Sequence, residues 1–158
     1  MEERRYKGYS GNPKNRNVDN KGNAKQDKVK PSAENKFALL GYNREWLTKG
    51  ATPEMVTFAE EAGKFMAKNN LTNSKIRSIY GEIKRIQMGD FDREESSFYL
   101  LKPKVAYALG RDEKNEGLKL FKLIFDKCFP DVNKLTYKNF CNLIEAILAY
   151  HKAYGGRD

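Results

Sequence analysis

Residues 71–88 read LTNSKIRSIYGEIKRIQM, and the spacing of the isoleucines in this stretch decides the fold. Ile76, Ile79, Ile83 and Ile86 recur at intervals of three and four, with Tyr80 among them. On a helix that turns ~100° per residue, all five lie within about 80° of Ile76. A strand would need alternation with period two, which this stretch lacks. Thr72, just ahead of the stripe, is a residue type that caps helix N-termini, and Gly89 stops the pattern.

The same signals continue in both directions. Upstream, Thr52 predicts an N-cap with Pro53 at the first helical position, where its missing N–H costs nothing. Met55, Phe58, Ala59, Ala62, Phe65 and Met66 follow as a stripe ending near Asn69-Asn70. Downstream, Asp92 opens a third helix, Pro103 kinks or restarts it, and Gly110 closes it. Asp112 starts a fourth helix carrying Leu120, Phe121, Ile124, Phe125 and Cys128, broken by Pro130. Thr136 caps a fifth, in which Phe140, Ile144, Ile147, Leu148 and His151 share a face before Gly155-Gly156. The fold class expected is all-α, a compact bundle of about five helices, with no period-two strand and no internal repeat. Ahead of it, Phe37, Leu39, Leu40, Trp46 and Leu47 predict a short segment that covers a groove.

Charge divides the 158 residues unevenly. Thirty Lys/Arg against 21 Asp/Glu give +9, of which residues 1–36, with ten and five, carry +5. Only seven of those 36 side chains are apolar, too few to offset roughly 1–2 kcal/mol of backbone entropy per residue. The expected organisation is a disordered basic arm over 1–36 and a single helical domain over 37–158. Arg4, Arg5, Tyr6, Lys7 and Tyr9 mix cations with stackable rings, so the arm is either a solvated tail or a source of nonspecific affinity for nucleic acid. There is no apolar run long enough for a membrane span and no apolar signal core at the N-terminus, so the expectation is a cytoplasmic protein without membrane contact. Two cysteines 13 positions apart do not make a disulfide framework.

Catalytic signals are sparse. The one histidine, His151, lies on an apolar stripe and reads as a core or helix-end residue rather than a general base. Cys128, Cys141 and His151 lack the short pair spacing of zinc sites. The acidic run from Asp90 fails as a calcium loop because Glu95 and Leu101 stand where Gly and Glu are required. Glycine-rich phosphate loops are absent. The chain is therefore expected not to be an enzyme, with no catalytic residues, metal or cofactor.

Binding is better supported. On the wheel of residues 73–88, Lys84, Arg77, Gly81, Ser74, Arg85 and Ser78 occupy a continuous arc between about 80° and 200° that holds no acid. Small residues flanked by cations would let a polyanion approach closely. A second stripe, Lys104, Tyr107, Ala108 and Arg111, stacks on one face if the chain is helical after Pro103. A ring between cations suits single-stranded nucleic acid, although Tyr107 reads equally well as a half-buried packing residue.

Leu71-Thr72-Asn73-Ser74-Lys75-Ile76-Arg77-Ser78-Ile79, then Leu100-Leu101-Lys102-Pro103-Lys104-Val105-Ala106-Tyr107 with Gly110-Arg111, resembles the small-subunit family of the type III-A CRISPR–Cas effector, the Csm complex. Tyr137-Lys138-Asn139-Phe140-Cys141 and Glu145-Ala146-Ile147-Leu148-Ala149-Tyr150 are similar to that family's last helix. The resemblance spans about residues 70–154. It implies an all-helical, non-catalytic subunit of antiviral defence, stacked in copies of itself into a filament beside the backbone and large Csm subunits. CRISPR RNA and target RNA would be its nucleic-acid partners, and helping to monitor their complementarity its task. Carried over residue by residue, it marks Lys75 and Arg77 in the first motif, and Lys102, Lys104 and Arg111 in the second. With Lys84, Arg85 and Tyr107 from the wheel and stripe, these form the expected RNA-binding set. Two other functions fit the same residues: a stand-alone helical protein binding single-stranded nucleic acid nonspecifically, and a purely structural scaffold.

Overall fold

The computed structural model describes residues 29–158, which form seven α-helices and one 3-10 turn, with no strand among the described residues. In chain order they are α1 (Ala33–Leu40), α2 (Glu45–Thr48), α3 (Pro53–Lys68), α4 (Asn73–Met88), α5 (Phe91–Gly110), α6 (Glu116–Cys128), the turn Phe129–Asp131 and α7 (Tyr137–Ala153). The all-α expectation holds, and α3 to α7 are the five helices that the caps and stripes predict. No helix among the described residues is long and apolar enough to cross a membrane.

Caps set most of the boundaries. The Thr52 and Thr72 hydroxyls accept the backbone N–H groups of Met55 and Lys75, three residues into α3 and α4. Three expected starts move. Asp90, not Asp92, caps α5, because its carboxylate reaches the Asp92 N–H. Asn115, not Asp112, caps α6, accepting from the Leu118 N–H at 2.9 Å. Thr136 stands at the N-cap of α7, yet its hydroxyl turns back to the Asp131 carbonyl and the Asn133 N–H. Pro103 neither ends nor restarts a helix: α5 is continuous from 91 to 110. Pro103 offers no N–H, so the carbonyl one turn earlier loses its intrahelical donor on a face open to water.

The core sits between α3 and α7, with α6 across one end and α4 and α5 along the side. Gly63 lets the two central helices close: a Cβ there would stand 2.5 Å from the Ile147 carbonyl oxygen and 2.6 Å from the His151 nitrogen. Gly117 does the same where α6 meets the end of α3, and its N–H donates to the Asn69 carbonyl at 2.8 Å. An aromatic cluster of Phe98, Phe125, Phe129, Tyr137 and Phe140 joins α5, α6 and α7, with ring centroids 5.0–6.4 Å apart. Tyr137 is buried and donates its hydroxyl to the Ile83 carbonyl at 2.7 Å, tying α7 to α4.

His151 is fully buried with Nε2 2.7 Å from the Leu71 carbonyl oxygen, the core position its stripe predicts. Cys128 and Cys141 are buried as well, and burial pushes their thiols up to about 12 and about 11. The segment 37–50 does cover a groove through Trp46 and Leu47, both buried, while Leu39 stays 84 % exposed. The first helix begins at Ala33, four residues inside the stretch expected to be an arm. Ala33 is buried and its N–H donates to the Glu116 carboxylate of α6 at 2.8 Å. Residues 1–28, which hold the rest of that stretch, lie outside the described residues.

Candidate nucleic-acid interface

Two helices position the expected RNA-binding residues. α4 buries Ile76, Ile79, Ile83 and Ile86, so its remaining positions flank that seam on two sides. α5 buries Phe98, Leu101 and Val105, which turns Leu100, Lys104, Tyr107 and Arg111 outward as one stripe. Between the two helices lies a cleft of about 1040 Å³. Lys75, Ser78 and Gly81 line it from α4, and Lys104, Tyr107 and Arg111 from the α5 side.

The structure thus brings together four of the eight expected residues: Lys75, Lys104, Tyr107 and Arg111. Arg77 lies elsewhere, in a second groove of about 360 Å³ between α4 and α7, beside Lys152 and Glu145. Lys84 turns the same way and pairs with Glu145, whose hydrogen bond holds the ammonium pKa above its ordinary value. Arg85 pairs with Glu82 of its own helix at 3.1 Å and bridges α4 to α5 through Glu94 at 2.9 Å. Lys102 does not line the cleft; its Nζ stands 4.9 Å from the centre of the Phe129 ring. The arc, which holds no acid of its own, meets carboxylates from α5 and α7 and, at Arg85, from Glu82 just outside it on α4.

Charge within the cleft is partly matched. Lys75 pairs with Asp112 at 2.5 Å, and that hydrogen bond, with one from Asn115, holds the Asp112 carboxyl below the usual range. Glu82 is held low by the Arg85 guanidinium and reaches Lys104 at 4.0 Å. Arg111 has no carboxylate within 4.0 Å among the described residues and rests 5.8 Å from the Tyr107 ring centre. These are solvent-facing pairs of the kind worth about 0–1 kcal/mol each, so a phosphate can displace a carboxylate from them at small cost.

Tyr107 is 67 % exposed, which removes its reading as a half-buried packing residue. Leu100, two stripe positions earlier and 59 % exposed, was not among the expected residues; its spacing of seven from Tyr107 was the available signal. A Cβ at Gly81 would meet nothing within 4 Å, so the α4 wall of the cleft is bare backbone at that point. No group of three or more His, Cys, Asp or Glu side chains able to hold a metal ion occurs among the described residues.

A protein-family model described as Csm2 Type III-A matches residues 49–157, from the residue after α2 almost to the end of the chain. No curated protein and no solved structure matches the chain. The family match takes in every helix of the core from α3 to α7, both motifs on α4 and α5, and the closing motif on α7. The chain belongs to the Csm2 Type III-A family and is a small subunit of the Csm effector complex in CRISPR defence, where it associates with other Csm subunits.

Proposed function

We propose that this subunit holds RNA by its phosphate backbone along the α4/α5 face, without catalysing a reaction, and so helps the complex register complementarity between CRISPR RNA and target RNA. The observation that carries the reading is the cleft itself: Lys104 and Arg111 stand over a wall left bare at Gly81. Cations beside exposed backbone let a polyanion come close, and such contacts position a strand without reading its bases. Sequence is then left to guide–target pairing, and the protein responds to the shape and charge of what that pairing forms. Copies of the subunit side by side in a filament, next to the backbone and large subunits, would repeat the face along the RNA.

The test is RNA binding by the full-length protein, alone and in assembled Csm complex, across ~50–300 mM salt, where phosphate contacts are strongly salt-sensitive. Each phosphate contact on a single strand contributes ~0.7 to the log–log slope. Lys104→Ala and Arg111→Ala are expected to weaken binding and flatten the slope by about that amount each. Glu82→Gln, which removes the acid next to Lys104, is expected to tighten binding. Arg77→Ala reports separately on the α4/α7 groove. Lys49→Ala, at the C-cap of α2, and Lys127→Ala, on α6, serve as controls. Equal losses in controls and cleft variants would show that net charge alone matters. Loss of assembly with RNA binding intact would instead favour a scaffold role.

A further inference from the structure

The cleft between α4 and α5 holds features that backbone binding does not use. Tyr107 has no structural task among the described residues. Its hydroxyl makes no hydrogen bond among the described residues, and its ring rests beside the Arg111 guanidinium. Tyr99, the other exposed tyrosine of α5, differs in both respects: it donates to Glu95 and packs against Phe98 and Phe129. Leu100 stands seven residues before Tyr107 on the same stripe, about 10 Å along the axis at ~1.5 Å per residue. An exposed leucine and an exposed ring at that spacing flank Lys104, and all three line one concave surface.

The opposite wall is also unexplained by packing. A glycine inside a helix costs about 1 kcal/mol relative to alanine. Gly63 and Gly117 are required by close backbone approaches, but Gly81 faces open space. Its missing side chain leaves room on the α4 side of the cleft that the α5 stripe also lines. A purely electrostatic surface needs neither a protruding ring nor an apolar ledge nor extra width.

We propose that the cleft is a single-strand subsite: an unpaired RNA base stacks on the Tyr107 ring, against the Leu100 ledge and the open wall at Gly81, while Lys104 and Arg111 hold the flanking phosphates. This rests on the reading that the α4/α5 face binds RNA, and it adds which form of RNA the face takes. Bases within a duplex hide their faces in the stack, and in A-form RNA only groove edges, 2′-hydroxyls and phosphates are offered. A ring in a cleft can therefore engage a strand only where a base is unpaired. Stacking tolerates any base, so the subsite senses pairing state rather than sequence. Arg111, lying beside the Tyr107 ring, holds a cation where the stacked base meets its phosphate.

The experiment compares a single-stranded RNA of about 16 nucleotides, a length that covers common single-strand site sizes, with the same RNA annealed to its complement. The RNA carries 2-aminopurine as a stacking reporter, and binding to the full-length protein is followed by anisotropy and by quenching. Tyr107→Ala is expected to weaken single-strand binding about 5- to 150-fold, which corresponds to ~1–3 kcal/mol per stacked base. It should abolish the quenching and leave duplex binding and the salt slope unchanged. Tyr107→Phe keeps the ring and should retain both affinity and quenching. Tyr107 is exposed, so unchanged helicity and melting confirm that the variant folds. If Tyr107→Ala binds single strands as tightly as the unaltered protein while Lys104→Ala and Arg111→Ala do not, the base subsite is overturned and the backbone reading survives. If none of these variants loses RNA, both readings fall. If Tyr107→Ala loses other Csm subunits while its RNA binding is intact, the cleft is a protein-docking surface and the proposal is overturned.

Discussion

Gly63 is the residue on which the close approach of α3 and α7 depends. Any Cβ at this position would lie 2.5 Å from the Ile147 carbonyl oxygen, and that oxygen belongs to helical backbone that cannot swing aside like a side chain. Gly63→Ala is therefore expected to destabilise the fold although alanine favours helix. Forcing α3 and α7 apart costs about 1–3 kcal/mol or more, against a propensity gain near 1 kcal/mol. Chemical denaturation of the two proteins checks this, and an unchanged midpoint would contradict the close approach. Gly81→Ala makes the internal comparison, since nothing stands within 4 Å of a Cβ there and the same propensity gain should appear as added stability. Neither outcome was legible from the sequence, where both are glycines inside helical stripes. The charges were legible only in part for a related reason. The wheel of α4 places its own residues correctly, but the carboxylates that meet Lys84 and Lys75 come from positions 61 and 37 residues away. A wheel contains no information about which neighbour packs beside it.

Elements were legible where a side chain caps its own helix. Thr52 and Thr72 do so, and the starts of α3 and α4 follow directly from the sequence. At α5, α6 and α7 two or more capping residues stand close together, and contacts from elsewhere choose among them. Asp112 is drawn to Lys75, which leaves Asn115 to cap α6. The docking of α1 on α6 was hidden in the same way, since it begins with a backbone N–H meeting a remote carboxylate. Partial burial of Glu116 opposes its ionisation, but the Ala33 N–H and the Lys119 ammonium outweigh this and hold its carboxyl below the usual range. A depressed folded-state pKa means that the carboxylate stabilises the fold above the unfolded value, near 4.3 for Glu, and that this is lost as pH falls through the folded value. Hydrogen exchange at the Ala33 amide is accordingly expected to speed up, relative to that of the α3 and α7 core, as pH drops below about 4. Glu116→Gln should show the same loosening at neutral pH. The cost is about 1 kcal/mol, the scale of one hydrogen bond to a partly solvated acceptor. Identical protection of Ala33 in both proteins would show that the contact carries no weight.

On the scale of the molecule, composition marks a polar, basic segment and periodicity a run of helices after it, but neither shows where one stops and the other begins. Residues 29–36 look like the segment before them, yet α1 seats Ala33 at zero exposure, packs Phe37 and Leu40 on the core, and pairs Lys36 with Glu61 at 3.1 Å. Two truncations therefore separate stability from charge. Removal of residues 1–28 takes away eight Lys/Arg and four Asp/Glu, a net +4, and removes none of these contacts. Its melting temperature is expected to stay close to that of the full chain, while nonspecific RNA binding weakens and its salt dependence flattens. Removal of residues 1–40 also strips α1 from α6 and uncovers the surface under Phe37 and Leu40. Losing that burial is worth about 2–4 kcal/mol at the usual area coefficient, so melting should fall by roughly 5–15 °C. The two products differ by only two cations and one acid, at Lys30, Lys36 and Glu34, so their RNA binding at a temperature where both are folded should be nearly equal. Equal melting of both truncations would mean that α1 adds nothing to the core. Lower melting already on removal of residues 1–28 would mean that residues ahead of α1 add to the stability of the bundle.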